Sequence, residues 1–354
     1  MTARAVVAPV APPGAWRLAM AGRSVLLDRR ALLATTVLAA LVVTAVAVSL
    51  AVGTASVPLA RTLPAAFGIG EARDVLLVQR LRLPRVAAGL AVGAAMGVAG
   101  VLLQTLARNR LATPDTVGLN DGATAFAVAS IVAVPTTLAP SAFALVGSAT
   151  AAALALGLAG GAGNRGYRFL VVGLGVGAAL SAITQLMLAR APIDDANAAF
   201  PWTIGSLNAR APEAVAVLAV ALAVALPLAM LLGRQLRLLR LADAVVTGLG
   251  QRASRIRLAA IGAAVVVAGL AVATAGPLGL VALVAPEIAR KAAGPRGVPV
   301  LGAALAGALV IVVADLLGRT LAAPIELPVG IVTAVVGGPY LLWLLLTTRT
   351  RRMP

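Results

Sequence analysis

Long stretches of apolar residues with almost no charge are the feature that most constrains how this chain can fold. Three examples are 31–53, 139–161 and 298–318, and each has the roughly 20 residues that an α-helix needs to cross the hydrocarbon core of a bilayer. Of the 354 residues, 61% are hydrophobic and 12% are charged. A soluble globular domain carries about 25% charged residues, so this class of protein is excluded.

Apolar windows of this length predict ten membrane helices. The longest run, 258–286, is divided by Gly276 and Pro277 into one full span and a shorter span that ends near Arg290, because proline interrupts helical hydrogen bonding. The simple runs are 31–53, 86–107, 117–137, 139–161, 169–189, 214–233, 298–318 and 327–347. The predicted fold is therefore an all-α polytopic membrane protein.

The distribution of basic residues predicts which side of the membrane each loop faces. Ten spans put both termini on one side, and placing them in the cytoplasm puts 21 of the 29 Lys and Arg residues there, as the positive-inside rule expects. We therefore predict a cytoplasmic tail at 1–30, a transmembrane domain at 31–347 and a cytoplasmic tail at 348–354. The first external loop is an exception with five arginines, which suggests that it has a function.

Glycine and acidic residues within the spans bear on packing and on mechanism. Glycines recur every three or four positions along 86–107, a spacing that lets helices approach closely, so we expect packing rather than contact with a cargo. Glu287 and Asp315 have Lys291 and Arg319 four residues further on, so each acid can form an ion pair on its own helix. A carrier driven by an ion gradient usually needs unpaired intramembrane acids, which makes an ion-coupled secondary transporter the less favoured alternative.

The absence of cysteine and histidine removes many kinds of chemistry. Disulfides, thiolate or imidazole metal ligands and histidine-dependent triads are excluded, and we expect no catalytic residue, no metal site and no directly bound cofactor. The formal charge of +17 would fit a nucleic-acid-binding protein, but it belongs to the flanks of the spans. We therefore expect membrane lipid and no nucleic acid among the partners.

Four motifs occur in order between residues 80 and 340. They are RLRLPR at 80–85 with the glycine-rich helix and RNRLATP that follow, WTIGSL at 202–207, GPLGLVALVAPEIAR at 276–290, and ADLLGR at 314–319 with ELPVGIVTAVVGGPY at 326–340. As an ordered set they resemble the iron-siderophore and cobalamin uptake permeases, the FecCD family of type II ABC importers. The resemblance implies the permease fold of that family and a multi-pass location in the bacterial cytoplasmic membrane.

Three positions depart from the pattern of that family. Arg110 stands where Asn-Pro-Leu-Ala has proline, Glu287 stands where Pro-His-Ile-Ala-Arg has histidine, and Ala242 begins Ala-Asp-Ala where many members have Gly-Glu-Glu. The departures leave the predicted fold unchanged but weaken the transfer of gate and coupling contacts. Pairing with a different permease subunit is one explanation for them.

The resemblance also implies roles for individual residues at the two membrane surfaces. Outside, Arg82, Arg85 and Arg319 would hold acidic residues of an extracytoplasmic substrate-binding protein, which suits the planar guanidinium. The alternative is that Arg85 anchors a helix end and that Arg319 only pairs with Asp315. At the cytoplasmic mouth, a translocation path would be lined by Gln104, Asn109 and Leu111. For Gln104 the alternative is a hydrogen bond to a neighbouring helix.

The basic loop 234–257 has the size and place of the coupling segment that the family docks into an ABC ATPase subunit. Its contact would involve Asp243, Leu249, Gly250 and Arg252, with Leu249 and Gly250 at the turn. The alternative is a basic loop retained for topology or for anionic lipid. The chain has no Gly-x-x-x-x-Gly-Lys-Ser/Thr loop, so we expect a partner subunit to bind and hydrolyse the ATP.

The function implied by the resemblance is that of a permease subunit, without enzymatic chemistry of its own. It would import a ferric siderophore by ATP-driven alternating access, together with a second permease subunit in a homodimer or heterodimer. Cobalamin and haem remain alternative cargoes. Naked transition-metal ions are disfavoured because the chain lacks ligands that could replace the hydration shell of the ion.

Overall fold

The computed structural model describes residues 15–20, 23–53, 57–133, 139–160, 166–208, 210–240, 243–294 and 297–348. Within these ranges the regular structure is helical except for one hairpin near the N-terminus. Its antiparallel strands are β1 (Ala15–Met20) and β2 (Arg23–Asp28). The hairpin is an addition to the predicted all-α fold, and it occupies part of the segment expected to be a cytoplasmic tail.

The described helices reproduce the predicted spans in number and order. In chain order the α-helices are α1 (Arg29–Ala51), α2 (Leu59–Ala66), α3 (Ala72–Leu76), α4 (Leu83–Ala107), α5 (Leu119–Val132), α6 (Pro140–Leu158), α7 (Gly166–Arg190), α8 (Ile193–Ala199), α9 (Pro201–Ile204), α10 (Pro212–Leu236), α11 (Asp243–Gly248), α12 (Ala253–Ala275), α13 (Val281–Ala293), α14 (Val300–Thr320) and α15 (Val329–Thr348). Seven helical segments are long and apolar enough to cross a membrane. The helices α5, α13 and α15 occupy the three remaining predicted positions, so the prediction of about ten spans is confirmed.

The second membrane helix begins earlier than predicted. A π-helical segment, Leu77–Arg82, joins α3 to α4, and the continuous helix runs over Ala72–Ala107 instead of 86–107. The arginines of RLRLPR therefore lie on a helix rather than in the first external loop. Because these arginines are charged, a search for uncharged windows leaves out the first part of this helix.

Close backbone contacts place α4 at the centre of the bundle. A Cβ atom added to Gly93 would lie 2.3 Å from the carbonyl oxygen of Gly307, and one added to Gly97 would lie 2.1 Å from that of Ala303. On its other side α4 packs against α12 and α13. The glycines thus allow backbones to touch where any side chain would collide, and their predicted packing role is confirmed.

Contacts between distant segments agree with the sidedness predicted from arginine. Arg30, at the start of α1, donates hydrogen bonds to the carbonyl oxygens of Lys291 and Ala292, both at 3.0 Å. All three residues were predicted to be cytoplasmic. At the other end, Arg319 of α14 contacts Ser49 near the end of α1. Arg319 was predicted to lie outside, and Ser49 falls at the outer end of the predicted span 31–53. We call these two surfaces the cytoplasmic end and the outer end.

Candidate functional site

The side chain of Arg82 is buried at the outer end. Its Nη1 donates to the carbonyl oxygens of Leu50 and Ala51 at 2.6 and 2.9 Å, in the last turn of α1. Carbonyls at a helix C-terminus lack partners within the helix and carry partial negative charge. Arg82 therefore caps α1 in this structure, and its role in docking a binding protein stays a prediction.

Arg85, Asp315 and Arg319 form one ion-pair network between α4 and α14. The Nε atoms of Arg85 and Arg319 lie 2.9 and 3.0 Å from the two carboxylate oxygens of Asp315. Arg85 also donates to Glu326 at 2.7 Å, and Arg319 donates to the Ser49 hydroxyl at 2.6 Å. The predicted pair between Asp315 and Arg319 is confirmed, and Arg85 is a second partner that comes from another helix.

This network leaves little of the two arginines at the surface. The side chains of Arg85 and Arg319 are 13% and 7% exposed, so both are engaged inside the bundle. The exposed basic side chains in the same region are Arg61, Arg73 and Arg80. The docking role of Arg85 and Arg319 stays a prediction, and in this structure a carboxylate from outside would have to replace contacts that they already make.

Three of the sequence motifs meet in one junction at the outer end. Within WTIGSL, Gly205 has φ +78°, and a Cβ there would lie 2.2 Å from the carbonyl oxygen of Pro277 in GPLG. The Ser206 amide donates to the carbonyl of Ala275 at 2.7 Å, and the Gly330 amide of ELPVG donates to that of Gly205 at 3.2 Å. The family motifs thus mark a place where three backbone segments touch.

Arg210 completes this junction and was missed by the sequence reasoning. Its guanidinium lies 5.0 Å from the ring centroid of Trp202, a cation–π contact. It also donates to the carbonyl oxygen of Ser206 at 2.7 Å. Burial lowers the pKa of Arg210 to about 10, which leaves it protonated at neutral pH. A lone arginine just after WTIGSL was the only available signal.

Gln104 joins α4 to α13 near the cytoplasmic end. Its amide nitrogen donates to the carbonyl oxygen of Ala282 at 3.2 Å, and its amide oxygen accepts from Arg290. Gln104 is buried. These contacts match the alternative stated for Gln104, a hydrogen bond to a neighbouring helix. The role of Gln104 in lining a translocation path stays a prediction.

Glu287 is paired, but its partners differ from the predicted one. Arg290 approaches it to 3.1 Å and Arg110 to 3.3 Å, whereas the predicted partner Lys291 lies 4.3 Å from the ring centroid of Trp343. The predicted pair with Lys291 is therefore wrong. Arg110 and Glu287, two of the departures from the family pattern, contact each other, so each supplies the charge that the other needs.

The turn after α4 carries Asn109 and Leu111. Arg108 ends the helix with φ +51°, and the Asn109 side chain then accepts a hydrogen bond from the Leu111 amide at 2.9 Å. The Leu111 side chain is 38% exposed. Arg108 donates to the carbonyl oxygen of Leu239, which links this turn to the loop 234–257. The gating role of Asn109 and Leu111 stays a prediction.

The loop 234–257 contains a short exposed helix, α11, followed by a tight turn. Gly250 has φ +76°, the conformation that commonly ends a helix, and Leu249 beside it is 57% exposed. Arg252 is exposed at the start of α12. The side chain of Asp243 and the whole of Ala242 lie outside the described residues. The turn has its expected position, and its contact with an ATPase stays a prediction.

A polar cavity of about 650 Å³ lies beside the outer junction. Its walls come from α5, α7, α9 and α15, together with the turn at Asp115 and the segment that precedes α13. Asp121 lies within the predicted span 117–137, and Asp115 and Asn120 close to it were missed by the sequence reasoning. The polar run 113–121 between two apolar spans was the signal that could have identified this part of the wall.

Comparisons with known proteins agree on one family. The sequence model of the FecCD transport family matches residues 40–347. The chain is 37% identical to the Fe(3+)-citrate import system permease protein YfmE of Bacillus subtilis, over 90% of this chain and 96% of that protein. It is 36% identical to the ferric enterobactin transport system permease protein FepG of Escherichia coli, over 91% of this chain and 98% of that protein.

A solved structure supports the fold. An inward-facing metal-chelate-type ABC transporter superimposes with a TM-score of 0.76 at 22% identity, covering 89% of this chain and 99% of that chain. At this level of identity the likeness concerns the fold alone. Together with the apolar helices, the family match makes the chain a multi-pass permease of the cytoplasmic membrane. It belongs to the FecCD transport family.

Proposed function

We propose that this chain is the permease subunit of an ATP-binding-cassette importer that moves a ferric siderophore across the cytoplasmic membrane. The observation that carries the proposal is the match of residues 40–347 to the FecCD transport family. A link at the cytoplasmic end is consistent with it, namely the contact between Arg108 and the carbonyl oxygen of Leu239. It joins the turn of Asn109 and Leu111 to the segment that leads into α11. Movement of α11 can therefore reach the cytoplasmic mouth through one short connection.

A separate ATPase subunit supplies the energy in this proposal. The chain has one lysine and no phosphate-binding loop, so ATP is bound and hydrolysed by the partner. The exposed Leu249, the turn at Gly250 and the exposed Arg252 form the surface that docks on it. The chain itself performs no covalent chemistry and binds no cofactor directly.

A second permease subunit is needed to enclose the path. Exposed residues of α7 and α15 line the polar cavity, namely Gln185, Ile331 and Ala334, and polar groups are not stably exposed to lipid tails. A second copy of the chain or a related permease covers the side that these residues form. Outside, a substrate-binding protein delivers the chelate, and Arg82, Arg85 and Arg319 are the expected contacts.

The cargo travels as a chelate rather than as a bare ion. Among the described residues there is no group of three or more acids that could hold a metal ion, so the iron keeps the ligands of its carrier. The names of the two relatives above point to ferric chelates as cargo. Cobalamin and haem are the alternative cargoes of the same transport cycle.

An ion-gradient carrier is the second candidate, and the ion pairs weigh against it. Glu287 and Asp315 each hold two arginines, so neither is available as an unpaired intramembrane acid. Uptake that continues without an ATPase and stops with a protonophore would favour this second candidate.

Uptake of radiolabelled ferric siderophores tests the proposal, with cobalamin and haem measured in parallel. Cells that lack the chain are compared with complemented cells, each with an ATP supply that resists a protonophore. We expect cells that lack the chain to lose uptake of one ferric siderophore. Complementation should restore that uptake, and the restored uptake should depend on ATP. Loss of cobalamin uptake alone, or of haem uptake alone, would identify that compound as the cargo. Unaltered uptake of every compound would contradict the proposal.

A further inference from the structure

Hydrogen-bond acceptors dominate one wall of the polar cavity. Asp115 and Asp121 both line it, and Asn120 lies between them. The amide nitrogen of Asn120 donates to Asp115. Only the NH₂ side of an amide can donate to a carboxylate, so this bond fixes which way the amide points.

The oxygen of that amide has no hydrogen-bond partner. Asn120 is 4% exposed, and its Oδ1 atom is buried without a donor. A buried acceptor without a partner is unfavourable by about 1–3 kcal/mol, and such groups in native structures commonly mark a missing ligand or water. Together with the two carboxylates, the Asn120 oxygen makes this wall suited to a ligand that donates hydrogen bonds.

The threonine hydroxyls of the cavity are acceptors too. Thr124, Thr184 and Thr203 line the cavity, and each donates its proton to a backbone carbonyl, at 3.4, 2.9 and 2.7 Å respectively. Toward the cavity, these hydroxyl oxygens can therefore act only as hydrogen-bond acceptors. Among the described lining residues, Ser181, Gln185 and the second N–H of the Asn120 amide keep a side-chain donor, and none of the described lining residues is Arg or Lys.

A cavity of this kind discriminates between ligands by charge. A polyanionic chelate would bring its own acceptors against carboxylates, in surroundings that screen charge less than water does. A cation, or a neutral chelate with N–H and O–H groups at its surface, would satisfy the unpaired acceptors. We propose that this cavity selects cationic or neutral, donor-rich ferric chelates over polyanionic ones. The selection by cargo rests on the proposed function, whereas the electrostatic character of the cavity does not.

The chain has no cysteine, so a single introduced thiol can report the potential inside the cavity. Ser181→Cys is made in the assembled importer, and its reaction rates with a trimethylammonium and a sulfonate methanethiosulfonate reagent are compared. The ratio is normalised to that of a small thiol in solution. Burial raises the pKa of Asp115 to about 7, so the rates are measured well above that pH. We expect the ratio to favour the cationic reagent by about tenfold, from unit charges a few ångströms away in partly solvated surroundings.

Charge-removing variants identify the source of this preference. Asp121→Asn in the same background should lower the normalised ratio by about threefold or more. Glu213→Gln removes an exposed carboxylate at the start of α10 and should leave the ratio unchanged. Gln185→Cys, at an exposed position of the same cavity, replaces Ser181→Cys if that variant does not assemble. A ratio near one, a ratio insensitive to Asp121→Asn, or failure of both thiols to react would overturn the proposal.

Transport by the complete importer in liposomes then tests the selection of cargo. Radiolabelled iron is offered as the cationic trihydroxamate ferrioxamine B and as ferric citrate. We expect ferrioxamine B to be preferred and Asp121→Asn to reduce that preference by about threefold or more. Preferred transport of ferric citrate would overturn the selection and leave the proposed function standing. Transport of no ferric chelate would contradict the proposed function, while the thiol rates would still decide the character of the cavity.

Discussion

The two ends of the bundle each centre on one acid that holds two arginines, but they differ in exposure. At the outer end Asp315 is 4% exposed, and its partners Arg85 and Arg319 are 13% and 7% exposed. At the cytoplasmic end Glu287 is 3% exposed, whereas its partner Arg110 is 62% exposed. Breaking a buried pair leaves an uncompensated charge and is strongly unfavourable, while an exposed pair exchanges easily with water. We therefore expect the outer end to stay fixed and the cytoplasmic end to rearrange during transport.

Asp315→Asn should break the outer end with the largest effect. Removing the carboxylate leaves two buried guanidiniums without their shared partner, and we expect a loss of about 3–5 kcal/mol in unfolding free energy. Thermal unfolding of the detergent-purified chain measures it. The matched variant Glu326→Gln removes the more exposed partner of Arg85 and should lose less than about 1 kcal/mol. Equal effects of the two variants would contradict a fixed outer end.

Charge and backbone changes in the coupling turn should impair movement at the cytoplasmic end without unfolding the chain. Gly250→Val disfavours a backbone with φ +76°, and Arg252→Glu reverses an exposed charge. Together they should lower ATP-driven transport by about tenfold, as loss of a strong interface contact does, while ATP hydrolysis continues.

The control for this double variant lies at the outer end. Gly70 has φ +127° with no atoms close to an added Cβ, and Arg190 is exposed at the end of α7. Gly70→Val with Arg190→Glu therefore makes the same kinds of change far from the ATPase and should leave transport near its original rate. Full transport by the Gly250 and Arg252 variant would exclude this turn as the coupling contact.

The smallest effect is expected from the exposed pair at the cytoplasmic end. Arg110→Ala should lose less than about 1 kcal/mol, because Arg110 is largely solvated. Glu287→Gln should lose about 1–3 kcal/mol, because the half-buried Arg290 loses its charged partner. A double-mutant cycle on unfolding free energy measures the coupling of Arg110 and Glu287. A coupling energy above about 2 kcal/mol would show that this end is as firmly held as the outer end.

Local sequence patterns predicted most of the fold. Most spans are apolar windows with at most one charged residue, so their positions can be read without knowing their neighbours. The helix Ala72–Ala107 started earlier than predicted because Arg82, which looks like a loop residue in sequence, is buried against the end of α1. That burial depends on a contact with Leu50, which is 32 residues away. A hydropathy window of about 20 residues does not include both residues.

The same distinction explains which site contacts could be predicted. Asp315 and Arg319 are four residues apart on one helix, and their pair was predicted from that spacing. Glu287 takes Arg110 as a partner instead of Lys291, although Arg110 is 177 residues away. The acceptor wall of the cavity likewise requires segments from several helices to meet. Residue spacing and composition cannot predict such contacts between segments that are distant in the sequence.

We expect the cytoplasmic end to move with the nucleotide state while the outer end stays fixed. Because the chain has no cysteine, Leu111→Cys and Leu321→Cys introduce single thiols at exposed positions of the two ends. Labelling rates in the assembled importer are measured without nucleotide and with ATP trapped. We expect a rate change of about tenfold or more at position 111 and little change at position 321. Equal rates at position 111 in both states, or equal changes at both positions, would contradict it.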